Sequence, residues 1–223
     1  MNVLAIGAHP DDIELGCGAA LVGHRRGGHR VTLLVMTTGE RGPQDARSRV
    51  QEQEDAAALL GADLLWGRFV DGEVPDGRPA VDVIEEALRI SGADVVYTHA
   101  PNDSHQDHRA TSVASLAACR RLSSVLMYES PTSVGFTPSV FFDAKGLVEN
   151  KLDLLRAHVS QVLKNGLVDL EAVESQARYR GFQARLRHAE GFVVDRFRWD
   201  PAPAAPAPRA EVDLDLSLAE VSA

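Results

Sequence analysis

The stretch "VLAIGAHPDDIELGCGAA", Val3–Ala20, sets an apolar run of strand length directly against a histidine, a proline and two adjacent aspartates. Two carboxylates side by side repel one another, and each is expensive to bury unpaired. A compensating positive charge must therefore come from elsewhere.

Working outward, apolar runs of strand length alternate with helical periodicity. Strands are predicted at Val3–Ala8, Val31–Met36, Leu64–Trp66 and Asp94–His99, with helices at Gly16–Gly27, Gln44–Leu60, Val81–Ile90 and Gln106–Arg121 between and after them. That alternation specifies βαβ units, hence a Rossmann-like α/β fold with a mostly parallel sheet and helices on both faces. The rhythm then changes. Val125–Tyr128, Ser139–Asp143 and "EGFVVDRF" read as strands of a mixed region, with helices at Gly146–Leu163 and Leu170–Leu186. "DPAPAAPAPRA" holds four of the eleven prolines and has linker composition. A catalytic domain over residues 1–198 and a linker with an acidic tail over 199–223 are expected.

Composition excludes several classes of function. The 223 residues carry a net charge of -9, which argues against nucleic-acid and anionic membrane surfaces. Neither a basic leader nor an apolar run of about 18 residues is visible. Cys17 and Cys119 form no CxxC pair and read as buried small hydrophobes. A soluble cytoplasmic protein is expected. "GCGAAL" (Gly16–Leu21) lacks the third glycine of a dinucleotide fingerprint, and neither G-x-S-x-G nor a Walker A sequence occurs.

In a doubly wound sheet, ligands bind beyond the carboxyl ends of the strands, where strand order reverses. With the order 3-2-1-4, strands 1 and 4 are neighbours there. The loop after strand 4, "HAPNDSHQDHRAT" (His99–Thr111), then brings His105, Asp107 and His108 to His9, Asp11 and Asp12. Imidazoles and carboxylates converging on one point suit a divalent cation. Three ligands with an open position would suit a catalytic one, which answers the charge problem of the first motif. His24 and His29 flank a basic turn and read as solvated. His99 is expected to hydrogen-bond within the strand-4 edge, and His158 to pack or cap within its helix.

"AHPDD" and "HQDH", together with "TTGERG" (Thr37–Gly42), "RVQE" (Arg49–Glu52) and "AEGF" (Ala189–Phe192), resemble the LmbE/PIG-L-type zinc-dependent de-N-acetylases. The resemblance runs from about Val3 to Phe192. It implies that His9, Asp12 and His108 ligate the metal and that Asp11 is the general base acting on water. His105 would stabilise the oxyanion or protonate the leaving amine, with Asp107 orienting its ring. Arg49 and Asp71 match substrate-contacting positions. From the residues alone, Arg49 reads equally as a helix-surface ion pair and Asp71 as a turn residue before Gly72. Gln106 stands where the family usually has proline, and His188, a third substrate-binding candidate, where relatives often have a tyrosine whose oxyanion role it would replace.

The implied reaction is removal of an N-acetyl group from an N-acetylglucosamine-type conjugate. The implied cofactor is Zn2+, with Fe2+ as an alternative occupant, and homo-oligomerisation is also implied. Loops Gly67–Pro79 and Ser130–Pro138 would build the pocket for the rest of the conjugate. Rival readings are a metal-dependent amidase on a non-sugar amide, a non-haem Fe(II) enzyme and a metal-binding regulatory protein.

Overall fold

A computed structural model describes residues 1–42, 46–164 and 168–198. The expected linker and tail, 199–223, lie outside the described residues, as does the predicted start of the second helix at Gln44. Seven strands form one sheet in the order β3-β2-β1-β4-β5-β7-β6. In chain order they are β1 Asn2–Gly7, β2 Arg30–Thr37, β3 Asp63–Phe69, β4 Val95–His99, β5 Ser124–Tyr128, β6 Val140–Asp143 and β7 Ala189–Phe197. The helices are α1 Asp12–Arg26, α2 Ala46–Leu60, α3 Arg78–Ser91, α4 Gln106–Ala118, α5 Val148–Arg156 and α6 Leu170–Ala184.

β1 is apolar on both faces because it is covered on both, as central parallel strands are. Val3 and Ala5 face a layer with Ile13, Cys17 and Leu21 of α1 and Leu154 of α5. Leu4 and Ile6 face Ala80 and Ile84 of α3 and Ala114 of α4. This period of two fixes the register, in which Val3 pairs with Val31 on one side and Val95 on the other. Strands β1 to β5 run parallel. β7 returns antiparallel to β5 and β6, giving the expected mixed region.

Several boundaries depart from the sequence reading. β3 is longer than predicted, so Gly67 to Phe69 belong to a strand and the following loop begins at Val70. The predicted helix Gly146–Leu163 is interrupted: α5 stops at Arg156, and a π-helical turn spans Ser160–Lys164. The first helix begins at Asp12, four residues before the predicted start, and bends at Cys17 (φ -143°). Two contacts cause the bend. A Cβ on Gly16 would lie 2.1 Å from Cδ2 of Tyr128, so the close approach requires glycine. Beyond the bend, the Glu190 carboxylate accepts from the Ala19 and Ala20 N–H groups at 2.9 and 2.7 Å, capping the resumed helix. Lys151 Nζ balances that buried charge, donating to Glu190 Oε1 at 2.7 Å and to the Leu15 carbonyl at 2.6 Å. The "AEGF" glutamate thus holds the helix that carries Asp12.

Both cysteines are buried and unpaired, as read from sequence. No helix among the described residues is long and apolar enough to cross a membrane. His24 departs from its expected solvation. Its Nε2 lies 2.9 Å from the Tyr97 hydroxyl and its Nδ1 2.8 Å from His29 Nδ1. Burial, and then the neighbouring His29, lower its pKa to about 4.

The unfolded chain therefore binds a proton at His24 before the folded one does, and stability falls as pH drops below about 6.5. In urea titrations, wild type should lose about 2 kcal/mol more than His24→Gln between about pH 7.5 and pH 5. Equal losses would show that His24 titrates normally in the folded protein.

Candidate metal and catalytic site

The carboxyl ends of β1 to β4 meet at one edge, and the loops leaving them, with Arg49 of α2, line a cleft of about 420 Å³ that includes His9, Asp11, Asp12, Asp71 and His105. At its base, Asp12 is shared among three imidazoles, with His99 Nε2 3.2 Å from its Oδ2. Its Oδ2 lies 3.4 Å from His9 Nδ1, and its Oδ1 lies 3.4 Å from His108 Nε2. Among the described residues, three overlapping sets bring ligand atoms within 4.8 Å of one another: His9, His105 and His108; Asp12, His99 and His108; and His9, Asp71 and Asp107. The expected trio of His9, Asp12 and His108 is thus joined through Asp12 and runs across these sets.

The far nitrogen of each outer ring is held by other carboxylates. His9 Nε2 lies 3.0 Å from Asp71 Oδ1 and 3.1 Å from Asp107 Oδ2. His108 Nδ1 lies 3.3 Å from Asp103 Oδ2, while Ser130 and Thr132 donate their hydroxyls to Asp103. Carboxylates behind imidazoles, leaving the near nitrogens facing the Asp12 carboxylate, form the donor arrangement that suits a divalent cation. Electrostatics agree. Burial opposes charge on His9, but Asp107, Asp12 and Asp71 outweigh it and raise its pKa. Burial likewise opposes charge on His108, yet Asp12 and Asp103 raise it to about 9. A site that draws protons onto two buried imidazoles has the negative potential to hold a cation, so these residues fit the implied metal.

The two adjacent aspartates point apart. Asp12 goes to the imidazoles, and although burial opposes its charge, His108 and His99 keep its pKa well below normal. Asp11 adopts a left-handed conformation (φ 90°) at the start of α1 and makes no side-chain cap. Burial, followed by the charge of Asp12, raises its carboxyl to about 6, against the opposing pull of His158 and Arg49. That is a range suited to a base working near neutrality.

Arg49 is buried, which removes the surface ion-pair reading. Its Nη2 donates to the Pro10 carbonyl at 2.9 Å and lies 3.8 Å from Asp11 Oδ2. Gly39 makes room for it: a Cβ there would fall 2.2 Å from Nη1, at a φ of +66°. Asp71 is more than a turn residue, because Oδ1 holds His9 and Oδ2 accepts from the Arg41 N–H at 3.1 Å.

Other expectations are corrected. The Asp107 carboxylate is directed to His9 and to the Gly72 and Val74 N–H groups, at 2.6 and 3.2 Å. It is the Asp107 backbone N–H that bonds His105, donating to Nδ1 at 3.2 Å as the N-cap of α4. Nδ1 therefore accepts, and neutral His105 carries its proton on Nε2. Burial, His9 and His108 lower its pKa and favour that neutral form. His188 is not among the residues lining the cleft; its carbonyl accepts from Ala144 N–H in the turn before α5. His99 does hydrogen-bond at the strand-4 edge, its Nε2 lying 3.2 Å from the Ala8 backbone N and 3.2 Å from Asp12 Oδ2, and its ring also stacks on His108 with centroids 4.1 Å apart. His158 lies beyond the end of α5, with Nε2 3.5 Å from Glu14 Oε2. Asp103, Glu14 and Gln53 were not legible as site residues. Asp103 had a signal, an acid two residues before His105, whereas Glu14 and Gln53 look like ordinary helix polar residues.

The model of the family described as PIG-L, GlcNAc-PI de-N-acetylase, matches residues 4–119. The chain belongs to that family. "Uncharacterized deacetylase YaiS" of Escherichia coli (strain K12) is 38% identical over 168 residues, covering 71% of this chain and 91% of that protein. Diacetylchitobiose deacetylase of Thermococcus kodakarensis is 30% identical over 217 residues, covering 85% and 81%. Among solved structures, the conserved protein TT1542 of Thermus thermophilus superposes with a TM-score of 0.81 at 26% identity, covering 93% of this chain and all of that one.

Because the Asp107 carboxylate lies 3.1 Å from His9 Nε2, Asp107→Asn should weaken zinc binding roughly 10- to 100-fold in chelator competition. Unchanged affinity would remove Asp107 from the support of His9.

Proposed function

We propose that this protein is a metal-dependent de-N-acetylase that removes the acetyl group from an N-acetylglucosamine-type sugar conjugate. One observation carries the reading: a buried carboxylate of raised pKa, Asp11, stands next to a carboxylate, Asp12, that joins two imidazoles in an open cleft. His9, Asp12 and His108 are the residues that would hold the metal, with zinc favoured by two imidazoles and a carboxylate and Fe2+ as the alternative occupant. When bound, the cation would polarise the acetyl carbonyl and lower the pKa of water in the cleft.

The remaining work falls to the chain's own groups. Asp11 accepts a proton from the attacking water as its oxygen bonds to the carbonyl carbon. His105, with its proton on Nε2, donates to the developing oxyanion or to the departing nitrogen. The nitrogen gains a proton as the C–N bond breaks, from His105 or, where His105 holds the oxyanion, from the protonated Asp11, and acetate and the amine leave. Arg49 and Asp71 line the same cleft and are the groups offered to sugar hydroxyls. The relative named for diacetylchitobiose supports a sugar substrate, while a non-sugar amide is the alternative substrate class.

The test is acetate release over a panel of N-acetylglucosamine conjugates and simple N-acetyl amides, after reconstitution with zinc or with ferrous iron. Sugar conjugates should be preferred, and Asp11→Asn should lower kcat by about 100-fold or more while keeping the metal. Acetate released equally by Asp11→Asn would remove the base, and release only from simple amides would replace the substrate class.

A further inference from the structure

Behind the cleft, a file of buried polar side chains ends on a single peptide group, Pro10–Asp11. Its carbonyl accepts from Arg49 Nη2 at 2.9 Å, and its N–H donates to Gln53 Oε1 at 3.2 Å. Arg49 and Gln53 are one turn apart on α2, so the helix grips both ends of the same peptide. Gln53 has no exposed surface, and its own amide is anchored in turn, with Nε2 donating to Glu14 Oε1 at 2.8 Å. Only one orientation of that amide serves both partners: the flipped form sets N–H against N–H and oxygen against carboxylate. Glu14 Oε2 lies 3.5 Å from Nε2 of His158, itself fully buried.

We infer that Gln53, oriented by Glu14 and His158, is the positioning residue for the base Asp11. The inference rests on the de-N-acetylase reading above. Asp11 lies between β1 and α1 in a left-handed conformation, and its own side chain does not cap the helix. The Gln53 bond therefore restrains a backbone that could otherwise relax toward a commoner conformation. Any such relaxation turns the Asp11 carboxylate, and a displacement of about 1 Å is worth roughly 100-fold in rate. Asp12 is held separately, by His9 and His108, so the metal ligands should not follow.

Wild type and two variants, compared by kinetics on protein of assayed zinc content and by hydrogen exchange, test this. Gln53→Met keeps the length and removes both polar ends. In the zinc-loaded enzyme, kcat should fall at least about 30-fold while KM stays within about twofold. Zinc stoichiometry should match wild type, and in the metal-free protein the Asp11 amide should lose its hydrogen-exchange protection while β1 amides keep theirs. The swap Gln53→Glu with Glu14→Gln restores an acceptor facing the Asp11 N–H and a hydrogen bond between the pair, so kcat should recover to within about threefold of wild type. If Gln53→Met does not fold, Gln53→Asn, too short to reach Asp11, replaces it in both measurements.

A folded variant with kcat within about threefold of wild type, or with Asp11 protection unchanged, overturns the inference. So does a fall in kcat matched by an equal loss of zinc. If wild type releases no acetate, the deacetylase reading fails on its own. The exchange measurement still decides whether Gln53 holds this peptide.

Discussion

The structure depends on keeping two neighbouring, largely buried carboxylates apart. Asp11 and Asp12 would destabilise each other if they shared an environment. The chain separates them with a left-handed residue at Asp11, which sends one carboxylate to His9 and His108 and the other toward Arg49. Everything around this turn supports that division. Glu190 and Lys151 hold the bent helix that begins at Asp12, Gly16 admits the Tyr128 ring beneath it, and α2 holds the Pro10–Asp11 peptide.

The parallel sheet makes the division chemically useful. β1 and β4 are neighbours, so the loops leaving their carboxyl ends face each other, and the Asp103–His108 segment arrives where the Asp12 carboxylate points. β3 and β5 contribute from either side: Asp71 behind His9, and Ser130 behind Asp103. The site is therefore a property of strand order. His9 is oriented by carboxylates far away in sequence, Asp71 and Asp107, and His108 by Asp103 of its own loop.

Much of this was legible beforehand. Apolar runs located all seven strands, and the order 3-2-1-4 put "AHPDD" beside "HQDH" because parallel connections follow few patterns. Less legible were features that depend on who faces whom. His24, in the polar run "GHRRGGHR", turns out to face Tyr97. The carboxylate of Asp107 passes over the adjacent His105 to reach His9, because the loop after β3 offers it two N–H groups. His188 stands at a position matched by family resemblance, but its backbone runs past the turn before α5 and not into the cleft.

Alone, the sequence determined the α/β class, the strand order near the first motif and the residue types that converge there. Those follow from local hydrophobic period and from the few ways parallel strands connect. Only the tertiary structure decided which carboxylate supports which imidazole, that Arg49 is interior, and that Glu14, Gln53 and His158 stand in line behind Asp11. Glu14 meets Gln53 across 39 positions and His158 across 144. No local pattern encodes such pairings, because a buried polar group meets these neighbours only after the chain has closed around it.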